Sequence, residues 1–341
     1  MGSVKDLKII EQPTLNQPGI GQFYFSDRYS VFDWGEMPDH IEAKGKALCT
    51  MGAYFFEKLE EMEIKTHYQG LVEDGIVKRL DALNGPADTM QVSLVNVLRP
   101  EENGDLYDYS IFHTPHKNIL IPLEVIYRNS LPEGSSVFRR LTKGTLSLEA
   151  IGLSQMPEPN QILDNPILDV STKLEITDRY LSWDEAQTIA GLSDTELKKL
   201  KDTTNLINDL ITRHVSEAGM VNEDGKVEYG FDINREVMLV DILGTPDECR
   251  FTYADIPVSK EVARKYYRNT EWYMSVERAK EEDRANWKKL VRTLPPRLPD
   301  RLNTLIAQLY QGVCNAITQR EWFQVPPLRN VLQEIKEQII T

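Results

Sequence analysis

The sequence predicts an α+β fold: antiparallel sheets with packed helices, followed by extra helices at the C-terminal end. Three observations carry that expectation. Short runs of β-branched and aromatic residues are separated by turn residues, long stretches show helical apolar periodicity, and charge-rich helical sequence dominates from Ser259 onward. With 341 residues, 41% of them hydrophobic, the chain is long enough to build two or three domains with cores of their own.

From Gln22 to about Leu98, the pieces QFYFS, GLVEDGIVKRL and MQVSLVNVL read as strands around one helix. That helix runs from roughly Gly45 to Met62, with Leu48, Met51, Phe55, Phe56 and Leu59 as its apolar positions. Residues 1–115 are therefore expected to form a β-rich lobe. After the polar loop EENGDLYDYS, the run NILIPLEVIYRNS reads as a buried strand, ended by the bend LPEGSS. The string SWDE from Ser182 looks like a capping box opening a helix, and LSDTELKKLKDTTNLINDLITRHVSEAG like a longer helix stopped at Gly219. VEYGF and EVMLVD, joined through DINR, make a hairpin, and residues 116–258 form a central α+β lobe. Residues 259–341 form a helical region broken by TLPPRLPDRL, with packing or homo-oligomer contact as its expected role.

Composition removes several function classes. The 39 basic and 53 acidic residues give a net charge of −14, which argues against nucleic acid as the main partner. Cys49, Cys249 and Cys314 show no CxxC or Cys/His spacing, so small buried thiols in a reducing compartment are expected. The start MGSVKDLKIIEQPT lacks the apolar core of a signal peptide, and no run has the length of a membrane span. A soluble cytoplasmic protein follows, with no membrane partner. None of the five histidines has paired ligand spacing, and surface or helix positions are expected for them.

The chemistry concentrates in the hairpin, at Lys226, Glu228, Asp241 and Arg250. Side chains alternate along a strand, so a loop of two or four residues would put positions 226, 228, 239 and 241 on one face, with Val227, Tyr229, Met238 and Val240 on the other. An odd-numbered loop would separate them. A solvated face with a cross-strand ion pair is the plain reading. The turn GTPDECR returns Arg250 toward the strand end, and carboxylates beside Lys and Arg suit a Mg-nucleotide site. Arg128, followed by Gly134, Ser135 and Ser136, makes either an anion cup or a hairpin turn with an incidental arginine. Ser171, Thr172 and Lys173 form a donor-rich patch where a carboxylate could dock. Gly19 and Gly21 precede a strand, where backbone NH groups could approach phosphate or simply turn; no P-loop or dinucleotide fingerprint occurs.

Taken in order, FSDRYSVFD (25–33), KGKAL (44–48), IPLEVIYRN with GSS (121–136), STKLE (171–175), GKVEYG (225–230) and VDILGTPDECRF (240–251) resemble the SAICAR synthetase family of purine biosynthesis, in its longer archaeal form. The resemblance implies a nucleotide cleft between two α+β lobes. It also implies an ATP-dependent ligase that joins carboxyaminoimidazole ribonucleotide to L-aspartate through an acyl phosphate, releasing ADP and phosphate. Glu228 and Asp241 would be the Mg2+ carboxylates and Lys226 a nucleotide-site lysine, these three making the catalytic set. Arg128, Ser135 or Ser136, and Arg250 would cradle the ribonucleotide phosphate, with Glu124 beside its imidazole and ribose. Ser171, Thr172 and Lys173 would lie in the loop region associated with aspartate. Adenine would lie near Leu120 to Leu123, with Gly19 and Gly21 in the nucleotide loop. A related amide ligase with another acid and amine, or a catalytically silent nucleotide-binding protein, are the competing readings.

Overall fold

The structure, a computed structural model, describes residues 4–104, 106–284 and 286–340. Its N-terminal sheet contains β1 (Lys5–Glu11), β2 (Gly19–Phe25), β3 (Tyr68–Glu73), β4 (Ile76–Lys78) and β5 (Thr89–Leu94), all antiparallel in the order β1-β2-β5-β3-β4. Helix α1 (Lys44–Glu61) packs on this sheet through the apolar positions read from its sequence: Leu48, Met51, Phe55, Phe56 and Leu59 are all buried. Its first turn is held by Asp27, whose carboxylate accepts from the Ala43 and Gly45 backbone NH groups at 3.0 Å each.

The polar stretch 101–110 is not all loop. It contains a small hairpin, β6 (Glu101–Asn103) with β7 (Leu106–Asp108). The central sheet is built on β8 (Ile119–Ser130), β9 (Ile162–Thr172), β10 (Val221–Phe231), β11 (Val237–Val240), β12 (Cys249–Tyr253) and β13 (Ile256–Pro257). Its order is β13-β12-β10-β8-β9, with β11 also paired to β10.

Between these strands lie α2 (Ser136–Thr142), α3 (Trp183–Ile189) and α4 (Asp194–Glu217). Ser182 caps α3 by accepting from Glu185 N, while the full reciprocal capping box belongs to α4, between Ser193 and Glu196. Gly219, at φ 76°, follows the end of α4 in the left-handed conformation that suits glycine. The C-terminal region supplies α5 (Glu261–Arg268), α6 (Glu271–Glu282), α7 (Trp287–Leu290), α8 (Asp300–Thr318) and α9 (Leu328–Ile340). Helix α8 packs directly on α1, so its apolar side (Leu302, Leu305, Ile306, Leu309, Val313) extends the main core. All three cysteines are buried free thiols.

Candidate functional site

Register on the central sheet decides which side chains meet. β8 and β10 align Glu124 with Glu228, Ile126 with Lys226, and Arg128 with Asp224. β9 adds Ser171 opposite Glu124 and Asp169 opposite Ile126, while β12 puts Arg250 opposite Asp224. Because side chains alternate, all of these lie on one face. The other face carries Val125, Tyr127, Val227 and Tyr229, all buried, and α4 covers it. One apolar face anchored by a helix therefore holds a charged face in place.

That charged face divides into two groups. At one end Arg128, only 2% exposed, donates to Asp169 (3.1 Å) and Asp224 (3.4 Å), and lies 3.4 Å from the Tyr180 hydroxyl and 3.5 Å from Ser136 Oγ. Arg250 binds the same Asp224 from the other side through Nε (3.0 Å) and Nη2 (2.9 Å), and Arg140 stacks 3.9 Å from the Tyr180 ring while pairing with Asp169. Burial pushes the Asp224 carboxyl up; Arg250 and Arg128 work against it. Arg128, Asp224, Lys226 and Arg250 line a cavity of about 190 Å3. The GSS bend begins α2: Gly134 has φ 82°, Ser135 caps the helix, and Ser136 Oγ donates to Tyr180 OH at 2.8 Å.

At the other end Lys226 lies 2.9 Å from Glu124 and 3.6 Å from both Glu228 and Glu248, while Lys173 lies 2.5 Å from Glu228. Burial alone would lower the Lys226 ammonium, but Glu248, Glu124 and Glu228 together raise it above its ordinary value. Lys5, from the first sheet, pairs with Asp241. Burial lowers its ammonium to about 8, against the pull of Glu248 and Glu228.

The hairpin itself departs from expectation. Phe231 pairs with Val237, leaving a five-residue loop, so Glu228 faces Val240 rather than Asp241. Met238 and Val240 consequently share the charged face, where they cluster with Leu120, Val95 and Leu174. Asp241 reaches the site by another route. It lies just past β11 with φ 64°, a left-handed turn, and His67 Nε2 donates to its carbonyl at 2.9 Å. His67 is thus a buried residue, not a surface one; burial lowers its imidazole to about 3, which keeps it neutral.

Other expected residues sort themselves by side. Leu120 belongs to the apolar cluster beside Glu228, whereas Leu123 faces the main core. Gly19 and Gly21 belong to β2 itself rather than to a loop before it: Gly21 pairs with Ile9 of β1 and Val92 of β5, and Gly19, the first residue of the strand, pairs with Leu94 of β5. A side chain at Gly19 would meet Glu11 O at 2.4 Å, and one at Gly21 would meet Leu94 and Leu7 at 2.8 and 2.9 Å, so close packing explains both glycines. Ser171 and Thr172 are buried, and Thr172 Oγ1 already accepts from Arg179 N (3.1 Å); of that patch Lys173 is the residue that enters the charged group. Sequence reading missed Lys5, Asp169, Tyr180 and Glu248. For Asp169 a signal existed, the alternation of PILDVST leading into STKLE.

The SAICAR synthetase family model matches residues 14–283, most of the chain. The chain belongs to the SAICAR synthetase family. It is 51% identical over 337 residues to a putative phosphoribosylaminoimidazole-succinocarboxamide synthase of Archaeoglobus fulgidus, covering 99% of both chains. It is 30% identical over 307 residues to the corresponding synthase of Thermoplasma acidophilum, covering 88% of this chain and 93% of that one. Among solved structures, a SAICAR synthetase in complex with ADP superposes with TM-score 0.60 at 20% identity, covering 94% and 97% of the two chains. The Saccharomyces cerevisiae SAICAR synthase complexed with SAICAR gives 0.61 at 20% identity, covering 93% and 96%. At such identities these likenesses support the fold, and the α+β architecture with added C-terminal helices is that of SAICAR synthetases.

Proposed function

We propose that this SAICAR synthetase joins carboxyaminoimidazole ribonucleotide to L-aspartate with ATP, through an acyl phosphate, and that the charged face of the central sheet is where it does so. The observation that carries the reading is the placement, on one sheet face, of the Arg128–Asp224–Arg250 group beside the Lys226–Glu228 group. Two charged regions two to four residues apart along the same strands suit a reaction in which one phosphate is held and another is transferred. A carboxylate resists attack by an amine until one oxygen becomes a leaving group, so positioning and charge neutralisation dominate the catalysis.

In this reading Arg128 and Arg250, with Ser135 and Ser136 at the bend, take the ribonucleotide phosphate. Buried Nε groups of Arg128 and Arg140 without a protein partner support it, since they are donors still to be satisfied. Glu124, paired with Lys226, faces the imidazole and ribose. The apolar cluster of Leu120, Met238 and Val240 receives the adenine. Lys226 and Lys5 meet the nucleotide phosphates, and Lys173 lies where the amino-acid carboxylate would approach.

Magnesium fits the donor set. Glu228 and Asp241 offer hard carboxylate oxygens at the phosphate end, and the lysines that neutralise them here can turn to phosphate once nucleotide enters. Among the described residues no three metal ligands converge, which suits an ion held by one or two carboxylates plus phosphates and water. When bound, it neutralises charge on the transferred phosphoryl group.

The test is ADP release by the purified protein with ATP, Mg2+, the ribonucleotide and aspartate, each omitted in turn. ADP formation should require all of them. Release indifferent to aspartate, or absent with every component present, would overturn the reading.

A further inference from the structure

The motif KGKAL and the C-terminal helices have no part in the chemistry described so far, yet they meet at one atom group beside the site. Lys44, the first residue of α1, has a side chain only 1% exposed, and its Nζ donates to Asp247 Oδ2 at 2.6 Å. Tyr310, on α8, is 1% exposed and donates its hydroxyl to Asp247 Oδ1 at 2.7 Å. Lys44 Nζ also sits 5.4 Å from the Tyr310 ring centroid, and Lys260 Nζ donates to the Asp247 carbonyl at 3.1 Å. Each carboxylate oxygen of Asp247 therefore has its own donor, one from each end of the chain.

Asp247 is the middle of the turn GTPDECR. The turn closes on itself through Glu248 N and Cys249 N to Thr245 O, at 3.1 and 2.8 Å, and docks on β10 where Lys226 N donates to Glu248 O at 3.2 Å. It then delivers Glu248 to Lys226 and Arg250 to Asp224. Burial would push the Asp247 carboxyl up, but Lys44, Lys260 and the two hydrogen bonds bring it down to about 2, so it is ionised throughout the working range.

A buried ion pair adds little net stability over apolar packing, and its best-attested use is to fix one geometry. Tyr310 lies beyond residue 283, outside the span matched by the family model. We propose that Tyr310 is a positioning residue: through Asp247 it lets the C-terminal helical region set the turn that presents Glu248 and Arg250 to the cleft. The catalytic part of this inference rests on the proposed role of Arg250 as a phosphate ligand; the structural part does not.

Tyr310→Phe keeps the ring and removes only the hydroxyl. Hydrogen exchange of the backbone amides across residues 245–250 should quicken by about tenfold, the size set by one hydrogen bond to a charged group, while melting stays near that of the parent. In the same variant, KM for the ribonucleotide should rise by about the same factor. Trp322→Phe removes a hydrogen bond made to the last residue of α8 from just beyond it, Trp322 Nε1 to Thr318 Oγ1 at 3.1 Å, and should leave both readouts alone. Unchanged exchange of the turn in Tyr310→Phe, or equal quickening in Trp322→Phe, overturns the proposal. Quickened exchange in a protein whose parent forms no aspartate-dependent ADP would instead overturn the proposed function and leave the brace standing.

Discussion

Asp241→Asn is expected to reduce turnover on the order of a thousandfold while the protein melts close to the parent temperature. The choice of asparagine matters, because Asp241 has φ 64° and asparagine is one of the few residues that tolerates this conformation. Alanine would add backbone strain and confound the result. Asparagine retains the backbone carbonyl that accepts from His67, and the Asp241–Lys5 pair it weakens is partly exposed, at 22% and 19% of the side chains, so little stability is at stake. What it removes is a negative oxygen donor where magnesium and phosphate would meet. Steady-state assay beside a thermal melt checks this, and turnover near that of the parent in Asp241→Asn would reject the metal assignment.

How Asp241 reaches the site also shows what the sequence can and cannot say. Helix α1, strand β8 and the long helix α4 were legible because their apolar periodicity runs over many residues and their ends carry caps or bends. So were Arg128 at a strand end and Arg250 returned by a turn. The hairpin register was not, because it depends on whether the loop holds four residues or five, and one residue flips every side chain. The consequence was an apparent separation of Glu228 from Asp241, which the positive φ at Asp241 offsets by redirecting its side chain toward Lys5. Nor could strand reading reveal partners distant in sequence: Lys5 lies 236 positions from Asp241, and Lys44 lies 203 from Asp247. The glycines of β2 were read as preceding a strand, and they lie within it, where a side chain would collide with its neighbours.

Arg128→Met should separate the structural and ligand-binding roles of the arginines. Arg128 is 2% exposed and stands between two buried carboxylates, so methionine fills much of its volume but leaves Asp169 and Asp224 with one partner fewer. Breaking a buried pair typically costs about 3–5 kcal/mol. Here Arg140 still holds Asp169 and Arg250 still holds Asp224, so a loss near the lower end, about 3 kcal/mol, is expected. The pH dependence has a definite sign. Burial already raises the Asp224 carboxyl, and loss of Arg128 raises it further, so the folded variant holds a proton to higher pH than the unfolded chain does. Its deficit is therefore full above the raised folded value and shrinks as pH falls through it. Urea unfolding at about pH 7.5 and about pH 5.5 should show the gap from the parent narrowing on acidification. Arg250→Met supplies the contrast: with 43% of its side chain exposed, Arg250 should change stability by less than about 1 kcal/mol yet weaken ribonucleotide binding at least as much as Arg128→Met. A gap that widens as pH falls, or an Arg250 variant that binds the ribonucleotide like the parent, would show that the two arginines do not divide the work in this way.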